Sequence, residues 1–328
     1  MGGHEGFPES SSSLDEGSPL IFSRLTKVYP GASSPSIENL SMAVGRSEIL
    51  GLVGLNGAGK TTAIRVAAGV IYPSRGTVSV AGFDIVKEKA EASRHLGWVA
   101  EFPTLEPMDR AIDQLRYYAG FRGLSGREAT RHCRELLDLV GLEEAQRKRF
   151  RTFSQGMKKR LALAVAMVGD PEVLLLDEVL NGLDPEGISL MRKLLLQWRK
   201  EGKSVLLSTH LLSEVQQLAD RVAIVHRGRL IRLMTQREVS GLDSQVLRIT
   251  VRNLDEAAMA YLATRGTPMR EGTTVWLAEP SAEADEINAE LTRRGYRVRE
   301  LALEPPHLED VFFDLIENFD RKHQGGAP

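Results

Sequence analysis

Residues 54–61 read Gly54-Leu55-Asn56-Gly57-Ala58-Gly59-Lys60-Thr61 and fit the pattern G-x-x-x-x-G-K-S/T at every fixed position. The apolar run 49–53 precedes them and predicts a buried strand, and residues 62–68 follow them and predict the start of a helix. Because a strand, a glycine loop and a helix are the expected context of this pattern, we interpret the stretch as a P-loop.

The residue types of this loop suit a nucleoside triphosphate together with Mg²⁺. Gly57 and Gly59 lack a Cβ atom, so the backbone can bend sharply and bring its N–H groups close to an anion. The dipole of the following helix points its positive end at the same place. Lys60 adds a positive charge for the β- and γ-phosphates, and the Thr61 hydroxyl can ligate the metal ion. We therefore predict that residues 54–62, which end at Thr62, bind the nucleotide.

The composition is that of an ordinary globular protein. Of the 328 residues 42% are hydrophobic and 26% are charged, and 42 Lys and Arg stand against 44 Asp and Glu. This near balance argues against a strongly basic nucleic-acid-binding protein. The single cysteine, Cys133, excludes an internal disulfide framework, and we interpret it as a packing or surface thiol. No apolar run approaches the roughly 18 residues of a membrane-spanning helix, and no signal peptide is evident.

The chain divides into segments of different character. Residues 1–19 are rich in serine and acids, which predicts a disordered tail. Residues 20–234 predict a core of strands and helices, in which residues 37–53 form a hairpin-like strand pair. Apolar residues recur at helical spacing over about residues 105–170, which predicts an inserted helical subdomain.

A second, smaller unit is predicted beyond a polar linker at residues 235–244. Residues 245–320 predict an α+β domain, and residues 321–328 predict a frayed tail. The expected elements of the domain are strand 246–251, helix 254–264, strand 273–277, helix 282–294, strand 296–302 and helix 307–318. Because this unit shows no catalytic constellation, a regulatory or dimerisation role and a simple packing role both remain open.

Two buried strands of the core end in residues that suit phosphate chemistry. Residues 173–177 form an unbroken apolar run, typical of a parallel strand, and the run ends in Asp177 and Glu178. Residues 204–209 predict another buried strand, which ends at His210. Because open α/β sheets bind ligands at the carboxyl ends of their strands, we expect the two carboxylates at a ligand site, whereas a lone histidine after a strand is more often a structural residue.

Three other features are less specific by themselves. Ser154 and Asp184 each suit the N-cap position of a helix. Tyr29 ends the first predicted strand, where an aromatic ring could stack on a base or belong to the core or a sheet edge. The basic run 158–160 could contact a partner or a phosphate, but we expect a solvated helix face.

In this order the motifs resemble those of an ATP-binding cassette (ABC) ATPase, over about residues 20–234. The likeness rests on a Walker A motif at 54–61, a signature at 153–157, a Walker B motif at 173–177 with Glu178, the loop 181–184 and His210. The signature, followed by Lys158-Lys159-Arg160, is similar to that of subunits that energise ABC-2-type exporters, and residues 308–313 are similar to an ending common in that branch.

The resemblance implies an α/β fold: a P-loop NTPase core with an antiparallel β subdomain, the helical subdomain and the small C-terminal α+β domain. It implies that Glu178 activates or orients the water that attacks the γ-phosphate, and that His210 contacts that phosphate. Tyr29 would stack on the adenine. The residues that would hold Mg²⁺ are Thr61, Glu101 and Asp177.

The resemblance also implies a dimer that contains two ATP molecules. In the family, the signature faces the nucleotide of the other subunit, so Ser154, Gln155 and Gly156 would bind ATP in trans and Asp184 would couple the two sites. The implied partners are a second ABC ATPase subunit, in a homodimer, and a separate transmembrane permease, but no nucleic acid. The implied location is the cytoplasmic face of the cell membrane.

This sequence departs from the family pattern at three places. Glu101 stands where the family usually has Gln, Val179-Leu180 replaces the usual Pro-Thr, and Gln155 replaces a Gly. We nevertheless expect an ATPase (ATP + H₂O to ADP + phosphate) coupled to transport, because Asp177 and Glu178 are intact. The alternatives are a regulatory subunit with little hydrolysis and a soluble ABC ATPase that works on ribosomes or DNA.

Overall fold

The computed structural model describes residues 17–239, 246–278, 280–304 and 308–324. The chain forms two compact units, Met1–Leu233 and Met234–Pro328. The predicted disordered tail lies largely outside the described residues. No helix within the described ranges combines the length and the apolar character that crossing a bilayer requires.

The first unit contains two sheets. Its strands, in chain order, are β1 Leu20–Lys27, β2 Ile37–Val44, β3 Ile49–Val53, β4 Arg75–Val80, β5 Phe83–Asp84, β6 Leu96–Val99, β7 Val173–Asp177, β8 Ser204–Thr209, β9 Arg221–His226 and β10 Arg229–Thr235. One sheet has the order β2-β1-β4-β5 and is antiparallel. The other has the order β10-β9-β3-β8-β7-β6, and its strands from β9 to β6 pair in parallel.

The parallel sheet places the site at the carboxyl ends of three neighbouring strands. Strands β3, β7 and β8 are buried at every residue, as their unbroken apolar sequences predict for strands covered on both faces. Val53 pairs with Thr209, and Asp177 pairs with Ser208. The residues that follow these strands therefore meet at one edge of the sheet.

The predicted strand pair at residues 37–53 is wrong, because β2 and β3 belong to different sheets. Strand β3 has no polar face, and it finds parallel neighbours, β8 and β9, on both of its edges. Glu48, just before β3, binds the Arg221 guanidinium, which also donates to the Ala43 carbonyl at 2.7 Å. The Arg221 side chain, from β9, therefore links the end of β2 and the residue before β3 to the parallel sheet.

The described part of the first unit contains seven α-helices, and three of them fall in the stretch predicted to be helical. The seven are α1 Lys60–Ala67, α2 Lys89–Arg94, α3 Ala111–Phe121, α4 Gly126–Leu139, α5 Gln155–Ala166, α6 Pro185–Lys200 and α7 Leu212–Leu218. Helices α3, α4 and α5 contact one another between residues 105 and 170. Cys133 of α4 is fully buried, which agrees with its interpretation as a packing residue.

The second unit is a four-stranded antiparallel sheet with helices. Its elements are α8 Gln236–Val239, β11 Val246–Val251, α9 Glu256–Ala263, β12 Thr267–Glu271, β13 Thr274–Ala278, α10 Ala284–Arg293, β14 Val298–Glu304 and α11 Leu308–Gln324. The strand order is β12-β13-β11-β14. Side chains from β11, β13, α9 and α10 form its core, among them Leu247, Leu277, Leu262 and Leu291.

Three sequence predictions for this unit need correction. Strand β12 was not predicted, because Pro268 and two charged residues hide its pattern; a proline is tolerated there because β12 is an edge strand. The predicted linker 235–244 includes helix α8, and residues 240–244 lie outside the described ranges. The predicted tail 321–328 is helical as far as Gln324, in α11.

Candidate functional site

The P-loop has the backbone that its glycines permit. Gly57 and Gly59 have φ angles of +81° and +106°, in the left-handed region that side chains with a Cβ atom avoid. Gly59 caps helix α1, and a Cβ atom on it would lie 2.5 Å from the Ser36 carbonyl oxygen. The loop therefore turns directly into the helix, with the N-terminus of α1 facing the space in front of the sheet.

That space is a cleft of about 250 Å³, which we call the P-loop cleft. It is lined by residues 55–62 together with Ser36, Glu101, Glu178, Asn181 and His210. Lys60 is 6% exposed, and its Nζ donates a hydrogen bond of 2.7 Å to the Gly54 carbonyl and lies 3.4 Å from Glu178 Oε1. The structure thus brings the predicted phosphate-binding loop and Glu178 together.

Glu178 sits in a network of polar groups. Its side chain is buried, and Oε2 lies 3.1 Å from His210 Nδ1. Asn181 Nδ2 donates to the same oxygen at 2.8 Å. The Glu178 backbone has φ +50°, and its N–H donates to Ser208 Oγ at 3.1 Å. A carboxylate held in this way, next to a histidine, can accept a proton from a water molecule in the cleft.

Asp177, Thr61 and Glu101 are the residues that could hold Mg²⁺. Thr61 Oγ1 donates to Asp177 Oδ1 at 3.3 Å, and Ser208 Oγ donates to the same oxygen at 2.6 Å. Asp177 is 1% exposed, and burial raises its pKa, although the hydrogen bonds from Ser208 and Thr61 oppose that rise. Mg²⁺ prefers oxygen ligands, usually one or two carboxylates with water and phosphate, so the residues present fit this ion.

Tyr29 lies at the margin of the cleft. The residue is 37% exposed, and its hydroxyl is 3.5 Å from Thr62 Oγ1. Ser36 Oγ is 2.9 Å from the same Thr62 atom. The ammonium group of Lys27 lies 5.3 Å from the centroid of the Tyr29 ring. An exposed, anchored ring next to the P-loop helix is suited to stacking on a base.

The four remaining predicted site residues do not line the P-loop cleft. Ser154 caps α5, where its Oγ accepts a hydrogen bond from the Met157 N–H at 3.2 Å, and Gln155 and Gly156 begin the same helix. Asp184 caps α6 and accepts a hydrogen bond from the Gly187 N–H at 2.8 Å. Their role toward a second subunit remains a prediction.

Sequence reasoning missed several residues around Glu178. The basic run 158–160 was expected to be a solvated face, but Lys159 is 8% exposed and donates to the backbone carbonyls of Glu178 and Asn181. Ser36, Ser208 and the Asn181 side chain were not predicted to take part. Ser36 and Ser208 come from distant segments of the chain and carry no local pattern, whereas Asn181 begins the loop 181–184, for which no side-chain role at this site was predicted.

Comparisons with known proteins agree with this geometry. The ABC transporter family model matches residues 37–181. Bacitracin transport ATP-binding protein BcrA of Bacillus licheniformis is 32% identical over 89% of this chain and 95% of its own. Daunorubicin/doxorubicin resistance ATP-binding protein DrrA of Streptomyces peucetius is 32% identical over 89% of this chain and 91% of its own. A solved ATP binding subunit of an ABC transporter is similar with a TM-score of 0.62 at 26% identity, over 83% of this chain and 99% of that one.

These similarities confirm the predicted family and the predicted fold class. The relatives match over nearly their whole length, so the likeness includes the second unit as well as the P-loop core. The solved structure has the same α/β cassette fold. The chain belongs to the family of ABC transporter ATP-binding proteins and is an ATPase of that family.

Proposed function

We propose that this chain is the subunit that binds and hydrolyses ATP to energise an export-type membrane transporter, through ATP-driven dimerisation. The observation that carries the proposal is the P-loop cleft, where Lys60, Glu178 and His210 converge in front of the glycine loop. Relatives named for bacitracin transport and for drug resistance support an export role.

Binding of ATP begins with the P-loop backbone. The N–H groups of residues 57–61 and the N-terminus of α1 are available to the β- and γ-phosphates. Lys60 turns from the Gly54 carbonyl and the Glu178 carboxylate toward the phosphates, whose negative charge is larger. Tyr29 stacks on the adenine at the margin of the cleft.

Hydrolysis then depends on Glu178 and His210. The Glu178 carboxylate accepts a proton from the attacking water, while His210, 3.1 Å away, orients that water and contacts the γ-phosphate. General-base assistance of this kind typically accelerates a reaction by about 10²–10⁴-fold. Thr61 and Asp177, with Glu101 nearby, would hold Mg²⁺, which neutralises charge on the phosphate oxygens.

The signature residues complete the site of a second subunit. Ser154 and Gly156 stand at the N-terminus of α5, outside the P-loop cleft of their own chain, where a γ-phosphate of a partner could bind. Only ATP offers that phosphate, so ATP favours the closed dimer and hydrolysis shifts the population toward the open one. This chain would lie at the cytoplasmic face of the cell membrane, where a separate transmembrane permease would use this change.

The test compares the wild-type protein with Glu178→Gln, and Glu201→Gln serves as a control on an exposed carboxylate. We expect the wild type and the control to hydrolyse ATP, and Glu178→Gln to lose hydrolysis and to form a stable dimer with Mg²⁺-ATP. ATP binding without hydrolysis by the wild type would instead favour a regulatory subunit. Size-exclusion chromatography with light scattering measures the dimer.

A further inference from the structure

The backbone that carries Glu178 forms a tight turn over residues 178–181, which we call the catalytic turn. The Asn181 N–H donates to the Glu178 carbonyl at 3.2 Å, and Glu178 itself has φ +50°. The two intervening side chains, Val179 and Leu180, are 0% and 1% exposed. The direction of the Glu178 carboxylate therefore depends on how firmly this turn is held.

The two ends of the turn are held from different elements. On the amide side, the Glu178 N–H donates to the carbonyl and to the hydroxyl of Ser208, both at 3.1 Å, so strand β8 fixes that end. On the carbonyl side, Lys159 Nζ donates to the Glu178 carbonyl at 2.9 Å and also to the Asn181 carbonyl. A single ammonium group thus bridges the first and last residues of the turn.

Lys159 lies in the protein interior, where its ammonium group makes these two contacts. It lies on α5, one turn after Gly156, and it is 8% exposed. A buried ammonium group costs free energy unless hydrogen bonds and opposite charges compensate it. Burial lowers the pKa of Lys159, and the carboxylates of Glu101 and Glu178 act in the opposite direction.

We propose that Lys159 is a positioning residue for ATP hydrolysis, which acts by holding the catalytic turn with Glu178 directed into the P-loop cleft. The inference rests on the proposed role of Glu178. It also links the helix that begins at the signature to the catalytic carboxylate, because Lys159 belongs to that helix.

The experiment compares three variants of the full chain. Lys159→Met removes the donor. The Gln side chain in Lys159→Gln is about as long as that of Met, but it keeps an amide that can donate to the two carbonyls. Lys158→Met is the matched control, because it removes an adjacent lysine. The Lys158 ammonium group lies 5.5 Å from the centroid of the Phe150 ring, whereas the hydrogen bond to the Glu178 carbonyl comes from Lys159. Hydrogen exchange of a peptide that covers residues 178–181 reports the turn directly, and steady-state kinetics reports kcat and KM for ATP.

We expect Lys159→Met to speed exchange in the turn and to lower kcat about 10- to 100-fold, because small displacements of a catalytic group have effects of this size. KM and the affinity for ATP should change little, Lys159→Gln should retain more of the kcat, and Lys158→Met should match the wild type. Unchanged exchange and unchanged kcat in Lys159→Met would overturn the inference. So would a parallel loss of kcat, ATP affinity and thermal stability, which is the signature of general structural damage.

The exchange measurement separates this inference from the proposed function. A wild type that does not hydrolyse ATP contradicts the proposed function, whereas the effect of Lys159 on the turn is still measured by exchange.

Discussion

Gly57 and Gly59 offer a direct test of the backbone argument for the P-loop. Both have positive φ angles, +81° and +106°. They differ in the space around them: a Cβ atom on Gly57 would meet nothing within 4 Å, whereas one on Gly59 would lie 2.5 Å from the Ser36 carbonyl oxygen. The variants Gly57→Ala and Gly59→Ala therefore separate backbone strain from steric overlap.

The expected magnitudes follow from these two terms. A residue with a Cβ atom in the left-handed region costs about 1–2 kcal/mol, and this term applies to both variants. Overpacking costs about 1–3 kcal/mol more, and it applies to Gly59→Ala because the overlapping atom belongs to the backbone and cannot rotate away. We therefore expect losses of about 1–2 kcal/mol for Gly57→Ala and about 2–5 kcal/mol for Gly59→Ala.

Thermal denaturation measures the difference. The first unit, Met1–Leu233, is of a size at which 1 kcal/mol shifts the melting temperature by about 2–4 °C. The unfolding transition of this unit can be identified as the one whose melting temperature rises when ATP is added, because a ligand stabilises the unit that binds it. Gly59→Ala should also weaken ATP binding more than Gly57→Ala does, because the added Cβ atom would displace Ser36, which lines the cleft. Equal shifts in the two variants would refute the steric part of the argument.

Three further predictions concern residues around the same sheet. Burial raises the pKa of Asp177, so the folded state binds the proton more tightly than the unfolded chain, and ionised Asp177 lowers stability at neutral pH. Asp177→Asn should therefore raise the melting temperature and reduce its dependence on pH, while Mg²⁺-dependent hydrolysis is lost; a lower melting temperature would contradict this sign. Ser208→Ala removes the 2.6 Å hydrogen bond to Asp177 and should raise the Mg²⁺ concentration that gives half-maximal activity, as a metal titration would show. Trp198→Ala empties a site that is 1% exposed and should cost about 3–5 kcal/mol of unfolding free energy in denaturant titrations, with no direct effect on the cleft.

The sequence predicted those parts of the site that depend on short-range patterns. Strand β7 was expected at residues 173–177 because the unbroken apolar run at 173–176 suits a strand that is covered on both faces. The P-loop was recognisable because its glycines are required by the local backbone. The position of Glu178 followed from one further rule, namely that open α/β sheets bind ligands at the carboxyl ends of their strands, whereas the place of His210 beside it was implied by the resemblance to the ABC family.

The parts that sequence reasoning missed depend on contacts between distant segments. Strands β2 and β3 were read as neighbours because they follow each other in the chain, yet β3 pairs with β8 and β9, more than 150 residues further on. Lys159 was interpreted as solvated because lysine usually is, and its burial becomes favourable through carbonyls supplied by the catalytic turn. No periodicity in α5 distinguishes Lys159 from Lys158.

Glu178 shows how the chemistry of the site overrides a local preference. Within the described residues, several non-glycine residues have a positive φ, and of these Glu178 lines the P-loop cleft. At Gly57 and Gly59 the same kind of backbone is relieved by the absence of a side chain, but a glycine at 178 would remove the carboxylate. The strain must then be held by neighbouring groups, and Ser208, Lys159 and Asn181 all bind this residue. A strained acid that is held by two other elements and by its own turn, in a cleft suited to phosphate, is the arrangement expected of a group that performs the reaction.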